Sequence, residues 1–337
     1  MDRKLHIGII GCGGIAQYHF GHFDKLQDKM RLAAACDILP ERAAKTVERY
    51  PGAVAYTDYR DMFEREKLDA VFVCVQPGAH DGMEFIAIDK GIHLFCQKPM
   101  SLDLDYARNV CAGLQKNRLL SAVGLQCRYV DTLPFIRDFV RHKLEQGDLA
   151  QLSAYRIGGF PLVWWWRNME QSGGQAVEMT IHNFDMLRYV FGDVAQVSAV
   201  RRRGVIRHID NNTVDDASST LITFKNGLIG TFNTGCYARD FGEDGIHAFY
   251  CNADGNNGKL TFSIGGNYTI REKSRTISGS AANDCGLECD ETFIDAVRGE
   301  LPADEILTAY PEALKTLEFV LAINASMDQN GAPVTLD

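Results

Sequence analysis

The sequence predicts an α/β domain with a doubly wound parallel sheet, followed by an α+β domain with a large, mainly antiparallel sheet. Up to about Gln126, apolar runs of strand length alternate with amphipathic helical segments, which is typical of a parallel sheet covered on both faces. Beyond residue 150, period-2 segments follow one another with short turns, which indicates antiparallel pairing. The length of 337 residues suits two domains, and we place them at 1–126 and 127–337.

The first domain alternates predicted strands with predicted helices. The strands are Leu5–Ile10, Leu32–Cys36, Ala53–Tyr56, Ala70–Val75, His93–Cys96 and Leu120–Gly124. Helical patterns open near Ile15, Pro40, Tyr59, Ala79 and Leu104. Pro40 suits a first helical turn because the N–H that proline lacks has no partner there in any helix.

The second domain begins with period-2 segments, namely Gln151–Arg156, Gln196–Arg201, Ser219–Phe224 and Leu228–Thr234. Asn226-Gly227 between the last two predicts a type I′ hairpin, in which both central residues take a positive φ. One helix, 174–191, is expected to interrupt this half. A last helix, 311–327, is expected to close the chain near the domain interface.

Composition and charge argue against several classes of function. The formal net charge of −9 does not suit a general nucleic-acid surface, because phosphate binding needs clustered Lys and Arg. No stretch approaches the roughly 18 apolar residues of a transmembrane helix, and the N-terminus lacks the apolar segment of a secretory signal. We therefore expect a cytoplasmic protein without a membrane partner. The ten cysteines show no C-x-x-C spacing, so we expect reduced, mostly buried thiols and no metal site.

A glycine motif follows the first strand, in the form G-x-G-x-x-[G/A]: Gly11-Cys12-Gly13-Gly14-Ile15-Ala16. Gly11 permits a tight turn, Gly13 lets the main chain approach a pyrophosphate, and Ala16 allows helix and strand to pack closely. The second strand leads into Asp37, whose carboxylate would accept hydrogen bonds from an adenosine ribose and repel the 2′-phosphate of NADP. The motif predicts NAD as the cofactor. The alternative is an ordinary glycine-rich turn with Asp37 as a helix N-cap.

Two further polar elements suggest acid–base chemistry. Lys98 follows the fifth predicted strand, at the carboxyl edge of the parallel sheet, where open α/β sheets bind ligands. Glu178, His182 and Asp185 stand at i−4, i and i+3 of the predicted long helix, so they would share one face and hold the imidazole as an acid or base. The structural alternatives are a surface lysine and a self-paired polar helix face.

Together these residues resemble the Gfo/Idh/MocA family of oxidoreductases over essentially the whole chain. Residues 76–80 are similar to the cofactor turn that the family writes T-P-x-x-x-H, and Gln97-Lys98-Pro99 stands at its E-K-P position. Residues 123–129 are similar to V-G-x-x-x-R-F, and residues 178–185 to D-x-x-x-H-x-x-D. Gln97 and Glu178 depart from the family's usual glutamate and aspartate.

The resemblance implies a Rossmann domain, an open-faced sheet that commonly forms dimers or tetramers, and an NAD-dependent dehydrogenase acting on CH–OH groups of a sugar, sugar derivative or cyclitol. Lys98 would orient the reacting hydroxyl, His182 would take its proton, and Glu178 would support His182 or contact the substrate. The expected cofactor-binding residues are Gly11, Gly13, Gly14, Ile15, Ala16, Asp37, Val75, Gln76, Pro77, His80, Gln97, Lys98 and Gln126. The expected substrate-binding residues are Lys98, Arg128, Trp165, Trp166, Arg167, Glu178 and Asp185.

A run of aromatic residues, Trp164-Trp165-Trp166-Arg167, precedes the predicted long helix. Aromatic faces stack on the C–H faces of pyranoses and cyclitols, and Arg167 could bind a hydroxyl or a carboxylate. Alternatively, the tryptophans fill the domain interface. Two other functions stay open: a glycosidase or lyase that oxidises its substrate only transiently before elimination, and a regulator that senses the cofactor without chemistry.

Overall fold

A computed structural model describes residues 3–160 and 162–336. It contains two compact units. The first comprises the chain up to Tyr129 together with Asp284–Leu314, and the second comprises Val130–Asn283 together with the chain from Lys315 onward. The predicted boundary at 126–127 differs from these units mainly in residues 284–314, which pack with the first unit.

The first unit contains a parallel sheet, to which the described residues contribute six strands. They are β1 (Leu5–Ile10), β2 (Met30–Cys36), β3 (Val54–Tyr56), β4 (Ala70–Val73), β5 (His93–Cys96) and β6 (Ser121–Val123). Their order across the sheet is β3-β2-β1-β4-β5-β6, and all neighbours pair in parallel. The doubly wound sheet is therefore confirmed. The order reverses between β1 and β4, and open α/β sheets bind ligands at the carboxyl ends of the strands at such a point.

The described helices are α1 (Gly14–Phe23), α2 (Pro40–Arg49), α3 (Tyr59–Arg65), α4 (Met83–Asp89), α5 (Leu104–Lys116), α6 (Leu133–Glu145), α7 (Met169–Ser172), α8 (Ile181–Phe191), α9 (Cys285–Arg298) and α10 (Tyr310–Asp328). The helix expected near Ala79 begins at Met83 instead, because Pro77–Ala79 forms a separate 3₁₀ turn. The other four helices of the first half begin within a residue of their predicted positions.

Helices α6 and α9 were not predicted, since only helices 174–191 and 311–327 were expected in the second domain. Asp284 caps α9 by accepting a hydrogen bond from the Leu287 N–H, and Gly299 ends it with a φ of 75°. Phe293 of α9 packs edge-on against Phe72 and Phe95, with ring centroids 5.8 and 5.6 Å away. Residues 284–314 therefore return to cover the parallel sheet.

The second unit contains a sheet to which the described residues contribute nine strands. They are β7 (Leu149–Ile157), β8 (Val194–Arg202), β9 (Ala217–Phe224), β10 (Ile229–Gly235), β11 (Glu243–Cys251), β12 (Asn257–Phe262), β13 (Tyr268–Glu272), β14 (Thr276–Gly279) and β15 (Val334–Thr335). Their order is β14-β13-β12-β11-β7-β10-β9-β8-β15. Only β7 and β10 pair in parallel among these strands, so the prediction of a mainly antiparallel sheet is confirmed. Phe184 of α8 packs on Phe232 of β10, which marks the covered face.

The hairpin between β9 and β10 forms as predicted, but its turn type was wrong. A type I′ turn requires a positive φ at Asn226, and Asn226 is not among the residues with positive φ. The loop has three residues, and Gly227 alone takes the left-handed conformation, with a φ of 87°. The Gly227 N–H donates to the Phe224 carbonyl and the Phe224 N–H to the Leu228 carbonyl, as in a hairpin closed by a glycine bulge.

Two expectations drawn from composition concern the cysteines and the membrane. The ten cysteines, all within the described residues, are free thiols, and most are buried. None of the helices in the described part of the chain combines the length and the apolar character needed to cross a bilayer.

Candidate active site

The glycine loop follows β1 at the point where the strand order reverses. Gly11 has a φ of 88°, and a Cβ placed there would lie 2.5 Å from the Cys74 carbonyl oxygen, so only glycine fits. A Cβ at Gly14 would meet nothing within 4 Å, so the start of α1 is open to a ligand. Helix α1 has no side-chain N-cap and no acidic residue in its first turn. Its free amide groups and positive dipole end suit a pyrophosphate.

Asp37 lies just beyond β2 and holds the glycine loop in place. Its Oδ2 accepts a hydrogen bond from the Cys12 N–H at 2.8 Å, and its Oδ1 accepts one from the Leu39 N–H at 2.9 Å. Each carboxylate oxygen has a second lone pair, so ribose hydroxyls can still bind. The neighbouring Ile38 is 85% exposed. The sequence analysis did not name Ile38 as a candidate cofactor-binding residue. The available signal was a large apolar residue directly after Asp37.

The cofactor turn after β4 is one residue shorter than the family's pattern, since two residues separate Pro77 from His80. The imidazole of His80 is almost fully buried, and its Nδ1 contacts the carboxylate of Glu84. The Tyr106 hydroxyl donates to the other oxygen of Glu84 at 2.5 Å. Although burial opposes ionisation, the hydrogen bonds from His80 and Tyr106 hold the pKa of Glu84 below its usual value. These bonds fix the turn that carries Val75, Gln76, Pro77 and His80.

Lys98 stands two residues beyond β5 and is half-buried. The preceding Gln97 is buried, and its Oε1 accepts a hydrogen bond from the Lys98 N–H at 3.2 Å. A Cβ at Gly124, just beyond β6, would lie 2.5 Å from that same oxygen, so glycine here makes room for the Gln97 amide. The family motifs around Lys98 and Gly124 are therefore in direct contact.

Arg128 and Gln126 belong to a 3₁₀ turn, Gln126–Tyr129, that follows β6. The Arg128 guanidinium is buried; its Nη1 donates to the Leu307 carbonyl at 2.9 Å and lies 3.6 Å from Glu312 Oε2. This geometry favours a role in fastening residues 284–314 to the rest of the first unit. The contacts of Arg128 favour this structural role over its predicted contact with the substrate.

In the second unit, the predicted helix 174–191 is interrupted. Gln175–Met179 forms a π-helical turn, closed by a bond from the Thr180 N–H to the Gln175 carbonyl at 2.9 Å, and α8 begins only at Ile181. The α-helical i−4 relation between Glu178 and His182 was therefore wrong. π turns insert an extra residue and occur frequently at functional sites.

Glu178 is joined to the tryptophan run rather than placed on an open helix face. Trp164–Arg167 forms a 3₁₀ turn, and the Trp166 Nε1–H donates to Glu178 Oε1 at 2.7 Å. Trp165 packs edge-on against Trp166, whereas Trp164 is 61% exposed. The aromatic turn is thus tied to the segment that leads into His182, which is half-buried in α8.

Asp185 lies on α8 one turn beyond His182, but it is buried. Its Oδ1 accepts a hydrogen bond from the Thr316 hydroxyl at 2.6 Å, and that hydroxyl accepts one from Arg188 Nε at 3.1 Å. The contacts indicate that Asp185 helps to join α8 to α10, and its substrate role stays a prediction.

The fold and the glycine loop define a class of protein, those with a dinucleotide-binding Rossmann domain. The comparisons agree. Residues 5–125 match the model of an oxidoreductase family with an NAD-binding Rossmann fold, and residues 141–260 match the GFO/IDH/MocA C-terminal domain. The chain belongs to the Gfo/Idh/MocA family, and it is an NAD-binding dehydrogenase, as the sequence predicted.

Individual relatives are distant in sequence. The uncharacterized oxidoreductase YrbE of Bacillus subtilis is 28% identical over 241 residues, which cover 69% of this chain and 67% of that protein. The myo-inositol 2-dehydrogenase of Thermotoga maritima is 28% identical over 237 residues, 68% of each chain. The solved WlbA dehydrogenase of Chromobacterium violaceum, in complex with NADH and UDP-GlcNAcA, superimposes with a TM-score of 0.83 at 22% identity, covering 100% of this chain and 97% of that one. At that identity the likeness shows the fold.

Proposed function

We propose that this dehydrogenase uses NAD to oxidise a secondary carbinol of a sugar, a sugar derivative or a cyclitol, with Lys98 and His182 as its proton-handling pair. The observation that carries the proposal is the position of Lys98, at the carboxyl edge of the sheet whose first strand leads into the glycine loop. The likeness to a myo-inositol 2-dehydrogenase supports a polyhydroxylated substrate.

On the cofactor side, the amides at the start of α1 would hold the pyrophosphate, and Asp37 would receive the hydroxyls of the adenosine ribose. Ile38 would cover one face of the adenine, which accounts for its exposed apolar side chain. The same carboxylate favours NAD over NADP, because it repels a 2′-phosphate. When bound, NAD supplies the acceptor for a hydride.

On the substrate side, the carbinol loses a hydride from carbon and a proton from oxygen. The Lys98 ammonium would donate a hydrogen bond to the carbinol oxygen, and the His182 imidazole would take the hydroxyl proton. Glu178, held by Trp166, would fix the segment that leads into His182. Trp165, Trp166 and Arg167 would contact the ring and hydroxyls of the substrate.

The test is a panel of inositols, aldoses, sugar acids and glycosides with NAD, in which absorbance of reduced nicotinamide and release of aglycone are both measured. We expect reduced nicotinamide with at least one polyol, and a loss of kcat of about 100-fold or more for Lys98→Ala and His182→Ala. Lys116→Ala at the end of α5 and the exposed His208→Ala are matched controls that keep wild-type rates. If Lys98→Ala and His182→Ala both keep the wild-type rate, the assignment of Lys98 and His182 as the proton-handling pair is wrong. If aglycone is released without net reduction of NAD, the reaction is an elimination and not a dehydrogenation.

We also propose that the second unit forms a dimer or tetramer through the uncovered face of its sheet. Exposed apolar side chains lie on this face of β8 to β11: Val200, Leu221, Ile229 and Phe249. Neighbouring apolar groups on a sheet face favour association with another copy. Light scattering should give a mass of at least two chains, and Leu221→Lys should lower it; a wild-type monomer would contradict the proposal.

A further inference from the structure

A buried chain of hydrogen bonds runs from α9 through α1 to the main chain of Lys98. Its members are Asp290 of α9, His19 and His22 of α1, and Gln97, and each is at most 4% exposed. Asp290 and His19 stand 271 positions apart in the sequence, and neither was singled out by any motif. We call this set the buried relay.

With Asp290 taken as an ionised acceptor, matching donors to acceptors gives one placement of the protons in the buried relay. Oδ2 of Asp290 is 2.7 Å from Nδ1 of His19 and 2.7 Å from Nδ1 of His22. An ionised carboxylate only accepts hydrogen bonds, so both Nδ1 atoms carry protons. With its proton on Nδ1, a neutral His19 presents a lone pair at Nε2.

The Gln97 amide completes the arrangement. Its Nε2 lies 2.7 Å from Nε2 of His19 and donates to that lone pair, while its Oε1 accepts from the Lys98 N–H at 3.2 Å. The opposite orientation of the amide would set its NH₂ group against the Lys98 N–H, donor against donor. Every contact from Asp290 to Lys98 is therefore satisfied by one pattern of protons.

The surroundings of the buried relay are apolar and aromatic. The rings of Phe72 and Phe95 lie edge-on to His19, with centroids 5.3 and 5.2 Å away. The other titratable groups that face the buried relay are Tyr18, Asp284, Cys74 and Cys289, and Asp284 Oδ1 is 3.8 Å from His22 Nε2. Burial raises the pKa of both cysteine thiols, and the Asp290 carboxylate raises it further, so both stay neutral.

A metal ion is the competing explanation, since His19, His22 and Asp290 offer ligand atoms close together. Both imidazoles would have to bind through Nδ1, because that atom faces Asp290. A metal bound through Nδ1 would displace the proton there, and a neutral His19 would then carry its proton on Nε2, donor against donor with the Gln97 NH₂ group. Hydrogen bonding accounts for all the contacts without an ion.

We propose that Gln97 is a positioning residue that fixes the main chain of Lys98 through the buried relay, and that it does so as an amide because His19 is neutral. The inference rests on the proposed function, in which Lys98 orients the reacting hydroxyl. The proton pattern suits an amide at position 97 and not a carboxylate. A carboxylate there could meet Nε2 of His19 only if that atom were protonated as well.

Gln97→Glu should therefore change the protonation of His19 in one expected direction. The new carboxylate faces the lone pair of His19, so His19 takes up a second proton and becomes an imidazolium between two carboxylates. When that proton is lost at alkaline pH, the hydrogen bond to position 97 is lost with it, and Lys98 is no longer held. The variant should lose kcat with rising pH over a range in which the wild type keeps its rate.

The experiment uses the full chain with isotope-labelled histidine. NMR correlation of ring nitrogens and protons reports the tautomer and charge of His19 without any turnover. We expect the neutral Nδ1–H form in the wild type and the doubly protonated form in Gln97→Glu near neutral pH. Above the pH at which His19 loses that proton, kcat of the variant should fall by about tenfold for each pH unit. Gln115→Glu, on the exposed surface of α5, is the matched control and should match the wild type in both measurements.

Several outcomes would overturn the proposal. A wild-type His19 that is doubly protonated, or protonated only at Nε2, refutes the proton pattern, and this measurement needs no variant to fold. If one Zn²⁺ binds per chain and the Nδ1–H signals are lost, these residues form a metal site and not the buried relay. If His19 titrates in Gln97→Glu but kcat keeps the wild-type pH profile, the relay does not act on Lys98. If the wild type oxidises no carbinol, the proposed function fails, whereas the NMR result still decides the state of His19.

Discussion

Thr316→Val tests the bonds that join α8 to α10 in the second unit. The Thr316 hydroxyl is buried between Asp185 Oδ1, to which it donates at 2.6 Å, and Arg188 Nε, from which it accepts at 3.1 Å. Valine has almost the same volume as threonine, so the change removes both hydrogen bonds without opening a cavity.

The expected cost follows from the charge of the two partners. A hydrogen bond to a charged group contributes about 1.5–3 kcal/mol, and the loss leaves a buried carboxylate and a buried guanidinium with one partner fewer each. We therefore expect the free energy of unfolding to fall by about 3 kcal/mol. For a domain of this size each kcal/mol lowers Tm by about 2–4 °C, so Tm should fall by about 6–12 °C.

Thermal unfolding followed by circular dichroism measures this effect, with Thr276→Val at an exposed position of β14 as the control. The control should change stability by less than about 0.5 kcal/mol. A Tm for Thr316→Val within about 1 °C of the wild type would refute the assigned bonds. Kinetics with an identified substrate separates the two roles of Asp185. If Asp185 has only a structural role, Thr316→Val lowers Tm and leaves KM unchanged. If Asp185 also contacts the substrate, as predicted, Thr316→Val raises KM as well.

Two further predictions concern titratable groups of the first unit. Because the pKa of Glu84 is lowered from 4.5 in the folded state, its stabilising contribution is complete above that pH and is lost as the pH falls through the lowered value. Glu84→Gln should accordingly lower the urea midpoint near neutral pH, with the difference from the wild type shrinking on acidification; a constant difference would contradict the assignment. Burial raises the pKa of the Cys12 thiol to about 11, so iodoacetamide at neutral pH should label the exposed Cys251 first. Peptide mapping by mass spectrometry checks this, and equal labelling of Cys12 would count against it.

Local patterns were sufficient to predict that the expected cofactor-binding residues of the first unit lie near one another. Gly11, Gly13 and Ala16 follow a strand and open a helix within a few residues, and Asp37 directly follows the next strand, so short-range order alone brings them together. Lys98 was placed at the same sheet edge because the carboxyl ends of parallel strands meet there. The π turn before α8 was not predictable from helical spacing, since Glu178 to Asp185 fits an uninterrupted helix equally well.

By itself, the sequence determined the alternation of strands and helices, the glycine loop with its acidic partner, and the change to antiparallel pairing, because each is a periodic or contiguous signal. Only the tertiary structure decided that α9 returns to the parallel sheet, that Trp166 holds Glu178, and that Asp290 reaches Lys98 through His19 and Gln97. The reason is that apolar periodicity reports which side of an element is buried, but not which distant element covers it. The hydrogen bonds of His19 to Gln97, 78 residues away, and to Asp290, 271 residues away, depend on which distant elements pack together.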